Sequence, residues 1–299
     1  MTHESGTYSG ARVAWPVGWM LGLLASAAAL AAVYWFFVLT DPGQHIDDNA
    51  LIGARDFLAQ RDQAREPALA FLGKLPHVSA VMAAAALIIS AVVHRSVLAP
   101  LITLASLGSA VLATQLLKHQ VLERPNLGIS EATVNSFPSG HTTLAAASMA
   151  AVFCTVTPRW RPLVALLGGL YTAAAGAATL VLGWHRPADI FGAYLVVLFF
   201  ALLTGWVLAV VAPEENRFSR RDFWAASRGF AWFMWVPGLA GLLCAAVLWA
   251  LLPPVDTGEN YQLLLGFLTG GVLAIGGAAL TTFAVLERVF AFQGRVRGR

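Results

Sequence analysis

This chain has little charge. Only 12% of its 299 residues are charged while 58% are hydrophobic, giving a mean hydropathy of +0.69. A water-soluble domain carries about twice that charge fraction, so a soluble globular fold is excluded and the bilayer is the main solvent. Cysteine is nearly absent. Cys154 and Cys244 sit in apolar stretches without metal-ligand spacing, which excludes a disulfide framework and a cysteine zinc site. Alternating strand patterning, internal repeats and a long low-complexity tail are also missing, so a membrane β-barrel, a solenoid and an extended disordered domain have no support. The net charge of +3 and pI near 9.1 arise from basic residues scattered along the chain rather than gathered in a stripe, so nucleic acid is excluded as a partner.

What the chain does have is long uncharged runs. A helix needs about 20 apolar residues to cross the hydrocarbon core, where no water is present to satisfy backbone groups. Eight candidate spans result: 13–39, 77–94, 97–117, 141–157, 162–184, 188–212, 230–252 and 261–286, the fourth being the shortest. The first is too long and continuous for a cleaved signal peptide, whose apolar region is about 7–15 residues, and reads as a retained helix. The expected fold is therefore all-α, a polytopic membrane helical bundle.

With the N-terminus inside, twelve cations fall on the inner side and seven on the outer side (Arg55, Arg61, Arg65, Lys74, Lys118, Arg124 and Arg186). This bias places both termini in the cytoplasm of a multi-pass protein of the cell membrane. The segment 213–229 mixes Arg220, Arg221 and Arg228 with Phe218, Phe223 and Trp224, a composition suited to an anionic headgroup surface. Between the first two spans, Leu51, Ala54, Phe57, Leu58 and Arg61 fit a short amphipathic helix after a turn at Thr40–Gly43, read as a connector or partial cap. The division expected is a core over 1–212, an interfacial linker over 213–229, and two additional helices with a basic tail over 230–299. The last two spans lack ionisable residues in their cores and read as a separable pair. Gly266, Gly270, Gly271, Gly276 and Gly277 suggest close packing there, with a homo-oligomer or another membrane protein as the expected partner.

The chemistry gathers in the outer connections. Pro138-Ser139-Gly140-His141 precedes the fourth span, and His185 with Asp189 follows two spans later, on the same membrane face. Removing a phosphate from a lipid requires neutralised oxygens, an in-line nucleophile and an acid for the departing oxygen. Lys118 and Arg124 offer positive charge, Ser139 a hydroxyl donor, and Gly140 close backbone approach at a helix start. His141 suits the acid. His185 and Asp189 lie one helical turn apart, so the carboxylate can hold one ring nitrogen and leave the other to attack. Glu123 reads as a partner of Arg124 or as solvent-exposed, and Asn126 and Asn135 as phosphate donors or turn residues.

These residues resemble the type 2 phosphatidic acid phosphatase superfamily of integral membrane lipid phosphatases. Lys118 with Arg124-Pro125, the Pro138–His141 run, and His185 with Asp189 match its three motifs. The resemblance covers roughly 13–212 and implies a six-helix phosphatase core; the two C-terminal transmembrane helices lie outside it. It further implies a phosphohistidine on His185, leaving-group protonation by His141, orientation of His185 by Asp189, and phosphate binding by Lys118, Arg124, Ser139 and Gly140. No metal and no cofactor are implied. Two departures stand out: one residue fewer than usual separates Lys118 from Arg124, and the family's Ser-Arg pair falls on Ala178 and Thr179. Arg186 is the candidate replacement for that missing cation.

The function expected is metal-independent hydrolysis of a lipid phosphate monoester or pyrophosphate at the extracytoplasmic face. Polyprenyl diphosphate, phosphatidic acid and phosphatidylglycerophosphate all fit. The alternatives are a lipid headgroup or phosphoryl transferase of the same superfamily, and a catalytically weakened lipid-phosphate-binding partner protein.

Overall fold

The computed structural model describes residues 16–61, 63, 65–130, 134–213, 228–253, 255 and 260–297. Among them are nine α-helices and no strand: α1 (Pro16–Leu39), α2 (Asp41–Gln60), α3 (Arg65–His94), α4 (Leu98–Leu116), α5 (Gly140–Thr155), α6 (Arg161–Val181), α7 (Pro187–Val211), α8 (Arg228–Leu251) and α9 (Tyr261–Arg297). All except α2 and α5 are long and apolar enough to cross a membrane, and the chain is a multi-pass all-α membrane protein. Large apolar side chains stand exposed on α1, α3, α4 and α8, among them Leu24, Ile88, Leu112 and Leu243. Such a surface is a liability in water and costs nothing against acyl chains.

The fourth expected span differs from the other seven. At 16 residues α5 is about 24 Å long, short of a hydrocarbon core of about 30 Å. Twelve of its residues are buried, and it lies against α3, α4, α6 and α7. Its sides meet protein rather than lipid, so the length required of a lipid-facing helix does not apply to it.

Two expectations about organisation are corrected. The first concerns the segment after α1. Thr40 accepts a hydrogen bond from the Gly43 amide at 3.3 Å and Pro42 stands in the first turn, so the turn signal at 40–43 starts a 20-residue helix. Gln44, Asp47, Asp48, Leu51 and Ala54 recur at helical spacing and are buried. α2 packs against α9, α1, α6 and α7, so it is a member of the bundle and not a peripheral connector. Its approach to α9 is close: a Cβ on Gly53 would lie 2.3 Å from the Leu264 carbonyl oxygen, so only glycine fits.

The second concerns the last two helices, which are not a separable pair. α9 lies against α6, α2 and α7 as well as α8. Its Phe290 meets Trp19 of α1 and Phe153 of α5 edge-on, with ring centroids 5.3 and 5.1 Å apart. An apolar helix without charge reads identically whether its neighbour is lipid or protein, which is why the sequence pattern missed this. Four of the five glycines that suggested a partner face the same chain: Gly266, Gly270 and Gly277 approach α8 or Leu252, and Gly271 approaches Leu180 and Pro187. Residues 214–227, most of the expected interfacial linker, lie outside the described residues.

Candidate active site

Local capping chemistry sets the two helix starts that carry the motif histidines. Ser139 caps α5, accepting from the Thr142 amide at 3.4 Å. Pro187 opens α7, and Asp189 in its first turn accepts from the Arg186 amide at 3.1 Å, satisfying a donor that the helix leaves free. The Ser139 amide donates to the Asp189 carbonyl oxygen at 2.8 Å, so the two helix N-termini are tied together. That bond brings the Pro-Ser-Gly-His run and the His185–Asp189 pair to one end of the bundle.

Asp189 is the hub. Its Oδ2 accepts from Ser136 Oγ at 2.6 Å and lies 3.3 Å from His185 Nδ1. With Nδ1–H donated to this carboxylate, Nε2 of His185 carries the lone pair. The other oxygen, Oδ1, stands 3.6 Å from Arg124 Nη2. His141 is exposed on the first turn of α5, its ring centroid 5.5 Å from that of Trp184, and His185 and Lys118 are its electrostatic neighbours. The amides of Gly140 and His141 have no partner among the described residues, leaving two donors at a helix N-terminus.

The Arg124 side chain is buried, and among the described residues only its Nη2 is engaged, by Asp189 and by Asp47 Oδ2 at 3.4 Å. Its Nε and Nη1 are buried without a partner among the described residues. Glu123 is exposed and makes no pair with it; the carboxylates that hold Arg124 come from α2 and α7. Asn135 spends its Nδ2 on the carbonyl oxygens of Lys118, Leu122 and Phe137, clamping the loop that carries Lys118, and Asn126 closes a turn onto the Gly128 amide. Both are structural.

The structure places two expected phosphate ligands elsewhere. The Ser139 hydroxyl is buried and donates to Thr142 Oγ1 at 3.0 Å, so in this state it serves the helix cap. Arg186 turns toward α2: its Nε and Nη2 donate to Asp48 Oδ1 at 3.0 and 2.7 Å, and Nη2 also donates to Ser130. Two residues that the sequence reading passed over thus enter the site. Asp47 and Asp48, adjacent on α2, are both buried; Asp47 Oδ1 also accepts from the Ala188 amide at 2.8 Å. The available signal was a pair of aspartates on the same helical face as Leu51 and Ala54.

Burial pushes the Asp47 carboxyl up to about 7 and the nearby Asp189 charge adds to this, while Arg124, Arg186 and the Ala188 amide oppose it. Two guanidinium groups are therefore enclosed by three carboxylates, Asp47, Asp48 and Asp189. Among the described residues no group of three or more His, Cys, Asp or Glu side chains is arranged to hold a metal ion.

No curated protein and no solved structure matches the chain. Residues 99–212, which run from α4 to the end of α7 and include Lys118, Arg124, His141, His185 and Asp189, match the family model described as the PAP2 superfamily.

Proposed function

We propose that the chain hydrolyses a lipid phosphate monoester or diphosphate through a phosphohistidine. The observation that carries this reading is the convergence on Asp189 of His185, held through Nδ1, and of Arg124, whose Nε and Nη1 have no partner among the described residues. His185 Nε2 attacks phosphorus as the bond to the lipid oxygen breaks, and His141 gives its proton to the departing oxygen. His141 then takes a proton from water, whose oxygen attacks phosphorus as the P–N bond breaks, releasing phosphate and regenerating His185. Arg124, Lys118 and the amides of Gly140 and His141 neutralise the equatorial oxygens. Loss of one such donor costs on the order of 10²–10³ in turnover.

Two features favour a lipid. A cavity of about 490 Å³ lies between α3, α4 and α5, lined by Ala83, Leu107, Val111 and Leu144, and Leu144 is one turn along α5 from His141. A tail could occupy it while the headgroup stays at the helix ends. The cation bias supports an extracytoplasmic position for that end. Polyprenyl diphosphate, phosphatidic acid and phosphatidylglycerophosphate remain the candidates.

A second reading, a lipid-phosphate binder without turnover, is favoured by Thr179 standing where the family pattern has arginine. Phosphate release from a panel of these lipids, with and without chelator, tests the first reading. The expected result is chelator-insensitive release abolished by His185→Ala in a protein that remains folded; release that survives this substitution overturns the mechanism.

A further inference from the structure

The site as described carries little net positive charge. Asp48 and Asp189, with Asp47 partly ionised near neutral pH, offset most of the charge of Arg124, Arg186 and Lys118, yet a phosphate ester arrives as an anion and gains charge density as it reacts. Arg186, the one cation that the sequence suggested in place of the residue missing at 179, is bound through Nε and Nη2 to Asp48. A different guanidinium lies against the connection that carries His185. Arg55 follows Asp48 by seven residues on α2, two helical turns along, so both face the same connection between α6 and α7. Asp48 holds Arg186 at the end of that connection, and Arg55 crosses Gly183 near its start. A Cβ on Gly183 would lie 3.0 Å from Arg55 Cγ, 3.4 Å from Nε and 3.8 Å from Cδ. Gly183 also has φ +69°, a left-handed conformation that favours glycine. The arginine stem thus lies over a residue with no side chain, two positions before His185. Arg55 is exposed, and no carboxylate among the described residues pairs with it.

We propose that Arg55 of α2 supplies the phosphate-binding guanidinium that the family pattern would place at position 179. The inference rests on the phosphatase reading and extends the site beyond residues 99–212, since α2 lies outside the matched segment. The ligand it binds is the phosphate group of the lipid, reached from the mouth of the pocket across Gly183. Because Arg55 is exposed and no carboxylate among the described residues pairs with it, its role is separable from folding; Asp48, buried against Arg186, offers no such separation.

The test compares the full-length wild type, Arg55→Ala, Arg55→Lys and His185→Ala in detergent or vesicles. It measures kcat/KM on a lipid phosphate, inhibition by inorganic phosphate, and the melting temperature. Arg55→Ala is expected to lose on the order of 10²-fold in kcat/KM and about tenfold in phosphate affinity, with an unchanged melting temperature. Arg55→Lys is expected to recover part of both, because a point charge remains without the planar fork, and added guanidinium ion is expected to restore part of the Arg55→Ala rate. Wild-type rates and phosphate inhibition in Arg55→Ala, alongside an inactive His185→Ala, would overturn the role of Arg55 and leave the phosphatase reading intact. If the wild type releases no phosphate from any lipid, that reading falls, and direct titration of wild type and Arg55→Ala with inorganic phosphate still decides whether Arg55 binds the anion. Should Arg55→Ala lower the melting temperature, the Arg55→Lys protein carries the comparison, and equal phosphate affinity in Arg55→Lys and Arg55→Ala would count against the proposal.

Discussion

Asp47→Asn separates what the buried carboxylate does for stability from what it does for the site. Asp47 is fully buried, and its carboxyl is pushed from 3.8 up to about 7, chiefly because burial penalises the ionised form. Its folded value lies above its unfolded value, so its contribution to stability is fully present below 3.8 and is lost as pH rises through about 7. The gap of about three units corresponds to a few kcal/mol of stability drained between pH 4 and pH 8, at about 1.4 kcal/mol per unit. Removing one partner of a buried pair ordinarily costs about 3–5 kcal/mol, because it leaves a charge alone. Here Arg124 retains Asp189 at 3.6 Å, and an asparagine can still accept from the Ala188 amide through Oδ1. The penalty is therefore smaller than the ionisation cost it removes.

The expected outcome is that Asp47→Asn matches the wild type in melting temperature near pH 5 and exceeds it by a few degrees near pH 8, while its phosphatase rate is lower at both. Intrinsic fluorescence is a suitable readout for a chain with 10 tryptophans. A variant whose melting temperature falls with pH as steeply as that of the wild type would refute the burial argument. An unchanged rate would show that Asp47 does not position Arg124.

Three further outcomes follow from the same contacts. Asp48→Ala strips the buried Arg186 of its carboxylate and is expected to cost about 3–5 kcal/mol, read as a lowered melting temperature. Asp189→Asn removes the charged acceptor shared by His185, Ser136 and the Arg186 amide; by analogy with an asparagine in a Ser-His-Asp triad, turnover is expected to fall on the order of 10³–10⁴-fold, measured as phosphate release. Truncation before residue 228 removes α9 and exposes its contacts with α1, α2, α5, α6 and α7, so the 1–212 segment is expected to lose its melting transition in detergent; a truncated protein with wild-type activity would vindicate the division of the chain at 213.

The residues that could be read from sequence are those whose meaning is local. Pro138–His141, and His185 with Asp189, carry their chemistry within a turn of helix, so spacing alone identified them as candidates. The long lipid-facing helices were equally legible, since hydrocarbon demands an unbroken apolar run wherever a helix meets it. Asp47 and Asp48 were not, because their partners lie far along the chain: 138 residues separate Asp48 from Arg186. Nothing near residue 48 announces that a buried arginine awaits it. The same limit hid the true neighbours of α9.

The connection between these misses is α2. Its turn-like start at Thr40–Gly43 and its low overall hydropathy with one apolar face are what a helix must look like when one face meets packed helices and its end meets a charged pocket rather than lipid. Its polar residues make contacts that a connector has no need of: Gln44 pins Val38 and Pro125, Asp47 bridges Arg124 to the first turn of α7, and Asp48 fixes Arg186. Burying two aspartates is costly unless each is paired. Both are paired to arginines that flank His185 and Asp189 in space, so the low hydropathy of α2 is best understood as a consequence of its place in the site. A segment too polar to cross the bilayer and too well packed to be a linker completes the candidate pocket at the ends of the membrane-spanning helices.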